Sequence, residues 1–269
     1  MTKRLRRVPA YAFLTIAAVI SVFPLYFMIV SATNTSTQVL GARLLPGSNL
    51  LVNLHTLMGQ QDLIGALWHS SINAVATTMG ALVICSIAGY GFEVYHSRGK
   101  DAVMNVLLLA MMIPFAATMI PLFRMFSDFG LSNSTLAVIL PFISTPFLIM
   151  LFRQSARSFP HEILEAARVD GLREFSIFIR IFIPTMRSTF AAAGVITFMS
   201  AWNNFLWPRV ILISNSQQTL TMLISNFRAG YVIDYCTLML AVLIASLPTM
   251  IVFLVLQRSF ANGITGAIK

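Results

Sequence analysis

The chain has 269 residues, 57% of them hydrophobic and only 10% charged, with a formal net charge of +9. A soluble domain carries roughly 25% charged residues, so this composition excludes a water-soluble globule and makes lipid the solvent. The positive excess is spread over the connectors instead of gathered on one face, which argues against nucleic acid as a partner and leaves orientation in a bilayer as its use.

Six stretches can each supply the ~20 apolar residues of a bilayer crossing. The first, near 9–32, follows Lys3-Arg4-Leu5-Arg6-Arg7. It outruns the roughly 7–15-residue core of a signal peptide and is not followed by a clear cleavage site, so it reads as an uncleaved span. A polar connector with a turn at Leu45-Pro46-Gly47-Ser48 leads to a second span near 70–92. The third, near 102–124, contains Pro114 and Pro121 and is expected to kink. A fourth lies near 135–153, a fifth near 185–208 and a sixth near 235–257, with a charged segment at 160–184 between the fourth and fifth. The expected fold is all-α and polytopic, one membrane domain over residues 1–269.

Charge sets the orientation. Of eighteen Lys and Arg residues, Arg43, Arg124, Arg209 and Arg228 fall on one side and the other fourteen on the side of the N-terminus. The positive-inside rule then puts both termini and the 160–184 segment in the cytoplasm.

Several chemistries lack their residues. All nine acidic residues lie in connectors or at span edges, which argues against a proton-driven carrier. There is no G-x-x-x-x-G-K-[ST] loop, so any ATP must be bound by another polypeptide. His161-Glu162-Ile163-Leu164-Glu165 lacks the second histidine of a zinc site. Cys85 and Cys236 read as two buried hydrophobes. No catalytic, cofactor-binding or metal site is expected.

The 160–184 segment carries the most information. Pro160 suits a first helical position, Glu162 and Glu165 favour the positive helix end, and Ile163, Leu164 and Ala167 form an apolar stripe. Asp170-Gly171 stops the helix, with Gly171 free to adopt positive φ. Leu172 to Ile183 reads as a second helical stretch. Physical chemistry leaves two readings open, a helix lying on the bilayer surface and a helix presented to a soluble partner.

The run Glu165-Ala166-Ala167-Arg168-Val169-Asp170-Gly171, followed by Ile183-Pro184, resembles the EAA signature of ABC importer permeases. Met112-Ile113-Pro114, Ile120-Pro121-Leu122-Phe123, Phe152-Arg153-Gln154, Ala201-Trp202-Asn203 and the tail Gly263–Lys269 extend the similarity to the maltose-type carbohydrate branch. Leu172 and Arg173 stand where many relatives have a small residue. The resemblance implies a non-enzymatic permease subunit of a binding-protein-dependent sugar importer in a bacterial inner membrane. Its partners would be a second homologous permease, two copies of a cytoplasmic ATPase that bind ATP and Mg, an external solute-binding protein and the lipid bilayer. Glu165, Ala166, Ala167, Arg168, Asp170, Gly171 and Pro184 would couple to the ATPase. Gly263, Gly266 and Lys269 would lie in a tail reaching the ATPase interface.

Trp202, Asn203 and Asn204, near the outer end of the fifth span, have two readings. Indole and amides can line a sugar path, or they can form an aromatic belt with an interhelical amide bond. The solute could also be a polyol or glycerol phosphate carried by the same mechanism. A secondary carrier or channel is the alternative of a different class.

Overall fold

A computed structural model describes residues 8–228 and 233–266. All of its regular elements are helical: α1 (Val8–Ala32), α2 (Ser36–Leu40), α3 (Leu50–Gln60), α4 (Leu63–Val94), α5 (Arg98–Ala110), α6 (Phe115–Asp128), α7 (Thr135–Ile139), α8 (Pro146–Arg157), α9 (His161–Val169), α10 (Glu174–Ile177), α11 (Ile183–Thr185), α12 (Arg187–Trp202), α13 (Leu206–Ile211), α14 (Leu220–Arg228) and α15 (Tyr235–Gly266). Three segments of these helices are long and apolar enough to cross a membrane, Tyr11–Ala32, Leu63–Val94 and Tyr235–Gln257. Three bent pairs raise the candidates to six if each pair is one span.

The bends occupy the places where single spans three, four and five are expected. Helices α5 and α6 meet at 102°, and the break ends at Pro114, whose ring disfavours helical backbone at Ile113. Pro121 is accommodated inside α6. The Thr135–Phe142 segment and α8 meet at 45°, across an extended Thr145 that precedes Pro146 at the first helical position. The Glu174–Thr185 segment and α12 meet at 80° across Met186.

The chain divides into two compact units. One combines the chain up to Ile64 with Leu220–Pro248. Its connector after α1 is tied down by buried amides. Asn53 Nδ2 donates to the carbonyls of Ala32 (2.8 Å) and Asn34 (3.0 Å), and Asn34 Nδ2 donates to those of Val30 and Leu45. Thr35 and Gln38 form a capping box on α2. Asp234, just ahead of α15, accepts from Ser36 Oγ and from Thr237 Oγ1 (2.6 Å). Burial pushes the Asp234 carboxyl up, but the hydrogen bonds from Cys236, Ser36 and Thr237 outweigh it and hold the group below its ordinary value.

The other unit combines Gly65–Thr219 with the chain from Thr249. Its core is a seam between α4 and α8. Ala81, Cys85 and Gly89 recur every four residues along one face of α4, and the side chains of Ala81 and Cys85 are fully buried. Small residues let helix backbones approach closely in lipid, where no hydrophobic force drives them together. Phe152, fully buried, packs against the ring of Phe190 of α12 at a tilt of 54°, with ring centroids 4.7 Å apart. Trp207 of α13 is also fully buried, donates from Nε1 to the Ala137 carbonyl at 2.8 Å, and meets Phe115 and Phe126 edge-on. Cys85 and Cys236 are both free thiols.

Candidate functional site: an exposed arm and a neutral cavity

Helix α9 begins one residue later than the sequence predicts, because Pro160 sits at the cap (φ −61°, ψ 119°) and not inside the first turn. Leu164 and Ala167 face inward, at 3% and 5% exposure, into a cluster with Tyr90, Ala156, Phe159, Ile177, Phe178 and Phe182. Burying a leucine contributes about 1.5–3 kcal/mol, and aromatic pairs reinforce the cluster: Tyr90 meets the Phe182 and Phe178 rings edge-on at 4.9 and 5.3 Å. Glu165, Ala166 and Arg168 are exposed, as are the apolar side chains of Ile163, Val169 (88%) and Phe175 (70%). The expected apolar stripe is therefore divided. Leu164 and Ala167 hold the helix, while Ile163 lies on the open side.

The helix stops through a complete Schellman motif. Asp170 is the cap residue, Gly171 has φ +79°, the Gly171 N–H donates to the Arg168 carbonyl, and the Leu172 N–H donates to that of Ala167. A Cβ added at Gly171 would meet nothing within 4 Å, so positive φ is what requires glycine there. Across the turn Arg168 Nε donates to Glu174 Oε1 at 2.7 Å. That bond raises the guanidinium pKa further above its already high ordinary value.

Beyond the glycine turn, a π turn at Phe178–Phe182 leads into Pro184. Proline has no N–H for the carbonyl four residues back, which here belongs to Arg180. The Ile183 N–H reaches five residues back to Phe178, and Thr185 Oγ1 donates to the Ile181 carbonyl at 2.7 Å. The helix widens, then breaks at Met186.

An ionic group fastens the α4–α5–α8 ends. Arg153 Nε donates to Glu93 Oε2 at 3.2 Å and Arg153 Nη2 to Asp101 Oδ1, while His96 Nε2 lies 2.9 Å from Asp101 Oδ2. The Arg153 and Glu93 side chains are only 16% and 12% exposed. Lys100 Nζ donates to the Gly91 carbonyl and to that of Tyr95, satisfying acceptors at the end of α4.

A cavity of about 200 Å³ lies in the same unit, lined by hydroxyls of Thr77, Thr145, Thr197 and Ser200, by Asn204, and by Phe142 and Phe147. A neighbouring hollow of about 370 Å³ shares Phe142, Ser200 and Asn204 and adds Asn203, Phe115 and Phe205. Of the three residues singled out near the outer end of the fifth span, Asn203 and Asn204 line these spaces. Trp202 lies buried and stacked on Phe198 at 5.8 Å, away from both linings. Thr197, Ser200 and Asn204 repeat at helical spacing, and that period is the sequence signal that marks this polar face. Val169 and Phe175, exposed apolar residues flanking a glycine turn, are the comparable signal for the arm. Gly263 and Gly266 fall at the end of α15, and Lys269 lies outside the described residues.

Residues 81–266 match the family model described as "Binding-protein-dependent transport system inner membrane component". The chain is 42% identical to the lactose transport system permease protein LacG of Rhizobium radiobacter, with each covered in full. It is 32% identical to the arabinooligosaccharides transport system permease protein AraQ of Bacillus subtilis (strain 168), over 98% of this chain and 96% of that one. A crystal structure of a bacterial ABC transporter involved in the import of the acidic polysaccharide alginate has a chain of the same fold, with a TM-score of 0.85 at 19% identity, covering 97% of this chain and 98% of that one.

Proposed function

From the premise that this chain belongs to the family of binding-protein-dependent transport system inner membrane components, we propose that it is one half of the translocation pathway of an ATP-driven sugar or oligosaccharide importer. It is the permease and not the ATPase. In this reading each bent pair is one crossing, which gives six spans with both termini in the cytoplasm. A second, homologous permease completes the pathway, an external binding protein delivers the sugar, and two cytoplasmic ATPase subunits bind ATP and Mg.

The observation that carries the proposal is the arm at 160–184. Its inward side is buried in an aromatic cluster of its own chain, and its outward side shows Ile163, Ala166 and Val169 beside Glu165. An apolar surface rimmed by charge marks a protein or membrane contact, and membership of a binding-protein-dependent transport family favours the protein. Glu165 and Ala166 would face the ATPase directly. Ala167 is small enough to let α9 lie close to its own core. Asp170 and Gly171 turn the chain, and Arg168 holds that turn through Glu174. Pro184 supports the break through which a pull on the arm reaches α12. Gly263, Gly266 and Lys269 belong to a tail at the same interface. Lactose and arabino-oligosaccharides, the solutes in the names of its relatives, define the solute class to test first.

The test uses the complete transporter in proteoliposomes, with lactose and arabinobiose as solutes. Wild-type complex should import at least one of them only with ATP, binding protein and ATPase present. Glu165→Lys or Gly171→Glu should abolish uptake while the chain stays in the membrane. Nucleotide-independent flux through this polypeptide alone, or normal uptake by Gly171→Glu, would overturn the proposal.

A further inference from the structure

We infer that the cavity formed by α4, α8 and α12 is a solute subsite of this chain, sized for one ring of a neutral sugar and selective against anions. The inference rests on the sugar-importer reading. It adds that this permease contacts the solute itself, which side chains do so, and which charge class they reject.

Three observations carry it. The first is chemistry. The residues lining the 200 Å³ cavity are four that bear hydroxyls, one amide, two phenylalanines and the aliphatic Leu148, Ile196 and Ala201. The lining is mostly apolar with a few polar groups, and no Lys, Arg, His, Asp or Glu is part of it. A pyranose or furanose ring presents hydroxyls around its edge and C–H faces above and below. Such a lining meets both, by hydrogen bonds and by aromatic contact. A phosphate or carboxylate would lose its water and find no cation to replace it in a low-dielectric site.

The second is placement. Thr197 and Ser200 sit three residues apart on α12 and Asn204 lies just past its end, all three lining the cavity, and Thr77 and Thr145 line it from α4 and from the residue before α8. Thr197 Oγ1 donates to the Ala193 carbonyl at 2.8 Å, leaving its lone pairs for a donor. One turn before Thr77, on the same side of α4, Asn73 is 5% exposed, and its side-chain carbonyl has no hydrogen-bond partner among the described residues. Uncharged polar side chains in a membrane helix usually bond across to a neighbouring helix, and a buried amide carbonyl without such a partner is left as an acceptor for something else.

The third is continuity. Ser200 and Asn204 line both the small cavity and the 370 Å³ hollow. One ring fills the first space while the next occupies the second, which suits a solute of two or more rings.

The experiment uses the assembled importer. Native thiols Cys85 and Cys236 are buried, so Ser200→Cys supplies an accessible reporter. Its alkylation by a small maleimide is followed with lactose, arabinobiose or sn-glycerol 3-phosphate added in excess. The expected result is that an imported neutral sugar protects the thiol and the phosphate ester does not. Separately, Thr77→Val and Ser200→Ala should each cut uptake efficiency about fivefold, the weight of one hydrogen bond, with the complex assembling normally. Protection by sn-glycerol 3-phosphate overturns the inference. So does the absence of protection in a complex that imports the sugar, or unchanged uptake in both variants. If the wild-type complex imports neither sugar, the sugar-importer reading itself fails, which is a separate outcome.

Discussion

The seam between α4 and α8 and the arm at 160–184 are built in opposite ways. At the seam there is no spare room: a Cβ on Gly89 would sit 2.6 Å from Phe152 Cβ and 2.7 Å from the Arg153 nitrogen. On the arm a Cβ at Gly171 would touch nothing, and Val169 is almost fully exposed. The contrast separates two jobs. Close packing transmits strain because it compresses little, whereas a helix anchored on one side leaves its other side open to a partner. If the arm is the coupling element proposed above, the seam is the part that passes its movement on.

The contrast can be broken by substitutions that exchange these properties, and thermal unfolding of the purified complex in detergent measures each. Arg153→Met should have the largest effect, about 3 kcal/mol, because it leaves the mostly buried Glu93 carboxylate without its cation. Adding Glu93→Gln should recover part of that loss. Next comes Gly89→Ala, with a cost of about 2 kcal/mol from overpacking against backbone that has no rotamer to yield. Arg168→Ala should cost less than ~1 kcal/mol, since its ion pair with Glu174 is about 40% exposed. That last variant should nonetheless lower the rate of sugar uptake at unchanged complex abundance. A large stability loss from Arg168→Ala, or none from Gly89→Ala, would collapse the distinction between seam and arm.

Much of the arm was legible in the sequence. Charge in an apolar chain, a proline ahead of the helix and Asp-Gly behind it set its limits within a residue, because helix-end chemistry is local. The direction in which its side chains point was not legible. Ile163 and Leu164 are equally apolar, and only tertiary contacts decide that Leu164 is buried. The apolar stretches were visible, but their bends at Met111–Pro114, Thr145 and Met186 were only partly so. Proline marks the first two, yet Pro121 is just as visible and breaks nothing. The Arg153–Glu93–Asp101 group draws on residues 52 and 60 positions apart, a separation that local patterns do not record. For Trp202, Asn203 and Asn204 the sequence left a sugar path and an aromatic belt both open. The amides line the two spaces, and the rings of the smaller one, Phe142 and Phe147, come from a different stretch of chain.

Trp207 gives the molecule an optical property. Its indole is sealed from solvent, bonded to one helix and ringed by two phenylalanines of another, so its fluorescence reports on whether those elements stay together. With Trp68 and Trp202 replaced by phenylalanine and the other subunits freed of tryptophan, a red shift in emission during turnover would time the parting of α6, α7 and α13. Unchanged emission would show that these elements stay packed throughout turnover, so the chain carries its own reporter with no dye attached.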